Sequence, residues 1–141
     1  MKAAYDAGIN LFHVTGEYCP WKVNFGEAIR RFGWDRRDLV ISVHFNCGSR
    51  YQNKLSRSRK SIIEGMNASL EKLGLEYVDL VYAGRPDGVT PMEEMVRAFN
   101  HLIDTGKAFY WGTSGWNAEE ITDAWRVAEK LGLIGPLVCF S

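Results

Sequence analysis

Strand-length apolar runs recur along this chain at intervals of roughly 30 to 40 residues, with an amphipathic helical pattern in each gap. The runs are "INLFHV" (9–14), "LVISVHF" (39–45), "YVDLVYAG" (77–84), "AFYWGTS" (108–114) and "LVCFS" (137–141). None alternates strictly between polar and apolar residues, so they read as strands buried on both faces. In the gaps, Ile62, Met66, Leu70 and Leu73 form a stripe closed by Gly74. Thr90-Pro91-Met92-Glu93 reads as a capping box with proline at the first helical position, followed by Met95, Val96, Phe99 and Ile103, and ended by Gly106. Asn117 with Glu120 opens another helix, with a face of Ile121, Ala124, Trp125, Ala128 and Leu131 and a stop at Gly132. A shorter helix over about residues 23 to 32 carries Phe25, Ile29 and Phe32.

Strand, helix, strand in steady succession specifies an α/β fold with a parallel sheet. A doubly wound sheet usually places a glycine-rich phosphate turn after its first strand, and "HVTGEYCPW" is not G-x-G-x-x-G. A (β/α) barrel instead gathers its functional residues at the C-terminal ends of several strands. Here those ends are polar or small: His13, His44, Gly84-Arg85 and Thr113-Ser114. The barrel is the preferred architecture. No linker or low-complexity tract interrupts the pattern, so residues 1–141 are expected to form one domain.

Composition narrows the function. Lys plus Arg and Asp plus Glu both number 17, so no net charge points to nucleic acid or an anionic membrane. The longest apolar runs fall short of a membrane span, and "MKAAYDAGIN" lacks the apolar core of a signal peptide. Cys19, Cys47 and Cys139 are an odd set without C-x-x-C spacing, which suits free thiols in the cytoplasm.

"AYDAGINLF", "SLEKLGLEYVDLVYAGRPD", "TPMEEMVRAFNHLIDTGKAFYWGTSGW" and "AWRVAEKLGLIGP" resemble the aldo-keto reductase superfamily, in particular its potassium-channel β-subunit-like branch. The resemblance covers nearly the whole chain. It implies a (β/α)8 barrel that reduces aldehydes and ketones with NADPH through a tetrad of aspartate, tyrosine, lysine and histidine. It places this chain at about strands 2–6, as a partial barrel incomplete at both ends. The first strand, and the seventh and eighth that hold much of the cofactor in the family, would lie outside it. A closed barrel takes roughly 250 residues, so this stretch alone is expected to leave two strand edges and an apolar face open.

Position by position, the family's F-D-T-A-E-x-Y corresponds to "FHVTGEY", which puts His13 at the aspartate and keeps the tyrosine as Tyr18. S-T-K corresponds to "SVH", with His44 at the lysine, and A-H-R-P-D to "AGRPD", with Gly84 at the substrate-orienting residue. Ser114 in "WGTSGW" matches a contact to the nicotinamide amide. A free phenol has a pKa near 10 and donates poorly at neutral pH. A neighbouring ammonium lowers that pKa, and a carboxylate holds the ammonium in place. Histidine at 44 is at best a part-time cation, and histidine at 13 replaces the anion with a second one. Carbonyl reduction is therefore expected to be near background, with Tyr18, His44 and His13 as the candidate catalytic positions.

Other features have plainer readings. His13 and His44 with Cys19 or Cys47 nearby invite a metal, but the spacing matches no ligand motif, so no metal is expected. Arg85-Pro86-Asp87 reads as a rigid turn, Trp111, Trp116 and Trp125 as core, and "RYQNKLSRSRK" (50–60) as a solvated loop rather than a nucleic-acid patch. Three functions stand: a degenerate aldo-keto reductase-like chain, an active NADPH-dependent reductase of a small carbonyl substrate using Tyr18 or His44, and a channel-β-like regulatory subunit that forms homo-oligomers. None requires insertion into a membrane.

Overall fold

The structure, a computed structural model, describes residues 1–15, 21–45 and 57–140. Along the chain run α1 (Lys2–Asp6), β1 (Leu11–Val14), α2 (Trp21–Phe32), a 3-10 turn (Arg36–Asp38), β2 (Val40–Phe45) and α3 (Arg59–Leu73). Then follow β3 (Val78–Ala83), α4 (Met92–Asp104), β4 (Ala108–Ser114), α5 (Ala118–Leu131) and β5 (Cys139–Phe140). All five strands are parallel, in the order β1-β2-β3-β4-β5, and the sheet curls into a half-barrel with the helices on its outer side. The five expected strands and four expected helices are all present.

Local chemistry sets the helix ends. Ser58 caps α3, its hydroxyl accepting from Ser61 N, and Gly74 closes the helix at φ +63°, where a side chain would be strained. Asn117 and Glu120 form the expected reciprocal capping box on α5. The box expected at Thr90 does not form. Asp87 takes the Thr90 hydroxyl at 2.7 Å, Pro91 becomes the cap residue without a side-chain bond, and α4 starts at Met92. An aspartate three residues upstream outcompetes the helix for that hydroxyl.

The core lies between the outer face of the sheet and the helices. Ile41, Val43, Val81 and Trp111 from the strands meet Ile62, Met66, Leu73, Met95, Phe99 and Leu102 from α3 and α4, all essentially inaccessible to solvent. Phe99 stacks on Trp111 at 5.0 Å between ring centres, and Trp111 Nε1 donates to Ile134 O at 2.8 Å. Trp116 is buried too, but Trp125 is 51% exposed, contrary to its assignment as core. On α5 the buried positions are Ala124, Val127 and Ala128, and Trp125 falls at the rim of that face. Its ring lies against Gly135, where a Cβ would come within 2.7 Å of it. At the N-terminal ends of the strands, Asp79 accepts from Arg36 at 2.6 Å and from Ile41 N at 2.7 Å, tying β2 to β3. Among the described residues no helix is long and apolar enough to cross a membrane.

Candidate functional site

The strand register decides which side chains look into the half-barrel. His13 pairs with Ser42, His44 with Tyr82, Tyr82 with Gly112, and Ser114 with Phe140, so these residues share the inner face. Farther from the C-terminal ends the same face presents Leu11 and Tyr110, both more than half exposed. The C-terminal ends of β1 to β5 therefore converge on one mouth, as the barrel reading required.

Alternate strands supply one layer of that mouth. His13 on β1, Tyr82 on β3 and Phe140 on β5 meet with ring centres 5.3 to 5.7 Å apart, His13 stacking on Phe140 and standing edge-on to Tyr82. Gly112 on β4 leaves the room: a Cβ there would lie 3.2 Å from Tyr82 Cε1 and 2.5 Å from Val138 O. The His44 ring centre is 6.2 Å from that of His13. His13 Nδ1 sits 2.8 Å from Ser42 Oγ, which fixes the ring plane, while among the described residues the buried Nε2 of each histidine has no hydrogen-bond partner.

Burial pushes the His13 imidazole below its ordinary 6.5. His44 is lowered first by burial, then by the charges of His13 and Arg57. Both rings therefore favour the neutral form at pH 7. Tyr82 moves the other way, since burial, with a smaller push from Cys139, raises its pKa and makes it a poorer proton donor. Gly84 offers no side chain, and its carbonyl accepts from Trp116 Nε1 at 2.9 Å, which fastens the segment after β4 to the end of β3. Ser114 ends β4 on the inner face, partly buried. Tyr18, Cys19, Cys47 and positions 50–56 of the basic stretch lie outside the described residues. Among the described residues no group of three or more His, Cys, Asp or Glu is assembled to hold a metal.

A family model for the Aldo/keto reductase family matches residues 1–137. The chain belongs to the aldo/keto reductase family. It is 47% identical over 140 residues to a protein of Oryza sativa subsp. japonica described as "Probable voltage-gated potassium channel subunit beta". It is 46% identical over 140 residues to a protein of Arabidopsis thaliana with the same description. Each match takes in 98% of this chain but 43% of the relative, so the chain spans less than half the length of these relatives. The half-barrel and the family agree: five consecutive strands are part of the eight that an aldo/keto reductase barrel closes.

Two parts of the mouth were not anticipated. Arg57 belongs to the stretch read as a solvated loop, yet it is 6% exposed. Its Nε donates to Arg85 O at 2.9 Å and its backbone N to Asp87 Oδ2 at 2.7 Å. A run of basic residues hides the one that turns inward, so composition gave no signal. Asp87, expected only as part of a turn, is the organising acceptor of this corner. It takes Arg57 N and the Thr90 hydroxyl on one oxygen, Val89 N and Thr90 N on the other. Burial alone would raise its pKa, but the bonds from Thr90, Arg57 and Val89 outweigh burial and hold the carboxyl well below its ordinary 3.8. A depressed folded-state pKa stabilises the fold above the unfolded value, and that stability is lost as pH falls through the folded one. Asp87→Ala is expected to cost about 2 kcal/mol or more at pH 7 and to flatten the fall in stability under acid. Urea unfolding at neutral pH and again near pH 3 measures both; an unchanged acid slope would remove Asp87 from this role.

Proposed function

We propose that this chain is an aldo-keto reductase-like, NADP-dependent oxidoreductase relative whose carbonyl reduction is impaired at the proton-transfer step. The observation that supports this most is the pair of neutral-leaning imidazoles, His13 and His44, at the strand ends where the family resemblance puts an aspartate and a lysine. Reduction needs a donor beside the oxygen that becomes negative as hydride arrives. Tyr18 would have to be that donor, and an uncharged His44 does nothing to make its phenol more acidic. His44 itself, as an imidazolium, would give up a proton readily but is present in that form only below its lowered midpoint. With Gly84 at the third position, the residue that follows β3 has no side chain to orient a carbonyl oxygen.

NADPH supplies the hydride when bound, and Ser114 is the residue here suited to hold its carboxamide. Mixing the protein with NADPH and a simple aldehyde, and following both cofactor fluorescence and absorbance, tests the reading. Quenching without cofactor oxidation is expected if the cofactor binds. Oxidation at ordinary enzyme rates, roughly 1 to 10³ per second, would overturn it and favour an active reductase of small carbonyl compounds.

A second reading rests on the relatives named as potassium channel β subunits, which share 46 to 47% of their residues with this chain over the matched span. It makes the protein a cytoplasmic regulatory subunit that forms homo-oligomers, in which cofactor binding outlasts catalysis. Light scattering after size-exclusion chromatography separates the two readings, since a monomer would count against the second.

A further inference from the structure

Among the described residues, the buried guanidinium of Arg57 has no carboxylate counter-ion. The residue is 94% removed from solvent, and among the described residues its side chain lies within ion-pair distance of no carboxylate. Asp87 is the nearest acid in its hydrogen bonding, but both Asp87 oxygens are filled by four other donors, one of them Arg57's own backbone N–H. Isolating an ion from water costs several kcal/mol unless something of opposite charge offsets it. The side chain is also held in a fixed direction, because Nε is spent on Arg85 O, while the buried Nη1 has no partner among the described residues. Among the described residues Nε2 of His44 and Nε2 of His13, whose ring centres are 6.2 Å apart, share that condition.

These groups sit at one end of the sheet. Arg85 follows the end of β3 by two residues, and Ala83 pairs with Phe45, the residue after His44. The Arg57 charge is felt at the His44 ring, where it helps to disfavour protonation. A metal cation would meet a fixed positive charge. An oxyanion would meet the planar fork of Arg57, suited to two parallel bonds, on the side of His44, with the His13 ring centre 6.2 Å beyond that of His44.

We propose that Arg57, with His44 and His13, forms a receptor at the C-terminal mouth of the half-barrel for the carboxylate or phosphate group of a small ligand. The receptor needs neither a bound nicotinamide nor any hydride transfer, so it stands or falls separately from the reductase reading. Charge-assisted bonds to guanidinium are roughly twice as strong as neutral ones, which makes Arg57 the dominant contact. Among the described residues, the charged or titratable groups facing His44 are His13 on β1, Tyr82 on β3 and Arg57 ahead of α3. Of these only the histidines change charge near neutrality, so a bound anion raises the His44 midpoint.

The test is a titration of the 141-residue chain with acetate in one arm and inorganic phosphate in the other, at constant ionic strength held with chloride. The imidazole NMR signals of His44 and His13 are followed. A saturable shift with an upward move of the His44 midpoint is expected. Response to acetate alone identifies a carboxylate, response to phosphate alone a phosphate, and response to both the shared oxyanion chemistry. Arg57→Gln is expected to weaken binding by about tenfold or more, while Arg57→Lys keeps the charge and weakens it less. If neither anion produces a saturable shift in the unsubstituted chain, the proposal is overturned, whatever the variants do. Arg57→Gln binding as tightly as the unsubstituted chain would overturn it equally.

Discussion

In a chain carrying the full barrel, replacing His13 by aspartate, His44 by lysine and Gly84 by histidine together is expected to raise carbonyl reductase kcat/KM by roughly 10² to 10⁴. The geometry supports the pairing on which this depends. β1 and β2 are hydrogen-bonded neighbours, and the imidazoles they carry at these positions have centres 6.2 Å apart. Side chains of an aspartate and a lysine at the same two positions would therefore come within ion-pairing reach. The order of substitution matters. Burial is the largest influence lowering His44, and it would act on a lysine there as well. Lysine at 44 beside His13 would lose part of its charge, whereas lysine beside an aspartate would keep it. His44→Lys alone is thus expected to recover much less than the pair, a departure from additivity typical of groups that act together. Steady-state NADPH oxidation over the single, double and triple variants reads this directly. A full gain from His44→Lys alone would show that the residue at position 13 has no part in it.

The second large effect concerns the scaffold. Trp111→Ala is expected to destabilise the fold by about 3 to 5 kcal/mol. Trp111 is wholly buried, stacks at 7° on Phe99 of α4 and meets Trp116 edge-on at 6.3 Å. Its removal leaves a cavity between β4 and α4 and strips Ile134 O of its donor, in the segment that leads to β5. Asn100 Oδ1 accepts from Ile134 N at 3.0 Å, and Trp111 O accepts from Leu137 N at 2.8 Å, so these tethers of that segment would survive. Trp111→Phe keeps the stack and loses the hydrogen bond, and should cost less than half as much. Urea unfolding of both variants gives the comparison. Equal losses would mean that the Nε1 bond, rather than packing, carries the stabilisation.

Much of the half-barrel was legible because parallel strands and their helices advertise themselves through period. The Ile62, Met66, Leu70 and Leu73 stripe and the Asn117–Glu120 box are local patterns, and nothing distant competes with them. Thr90 failed as a cap for a reason visible only in three dimensions: Asp87, held in place by Arg57 N across the mouth, captures its hydroxyl. Trp125 failed because a helical stripe has an edge, and periodicity does not say which side of it the neighbouring helix covers. The strand ends carrying His13, His44, Gly84 and Ser114 could be named from one-dimensional order. The contacts among them could not. That His13, Tyr82 and Phe140 from alternate strands form one layer depends on the curl of the sheet, and on Gly112 leaving space. Arg57 was hidden by its basic neighbours.

The proposal of impaired proton transfer depends on the charge of the imidazole at the end of β2. Titrating His44 by NMR in the unsubstituted protein, in chloride without added oxyanions, tests it most directly. A midpoint below the ordinary 6.5, leaving the ring neutral at pH 7, is the predicted result. A midpoint above neutrality would put a standing cation where the family resemblance places lysine, and would contradict it.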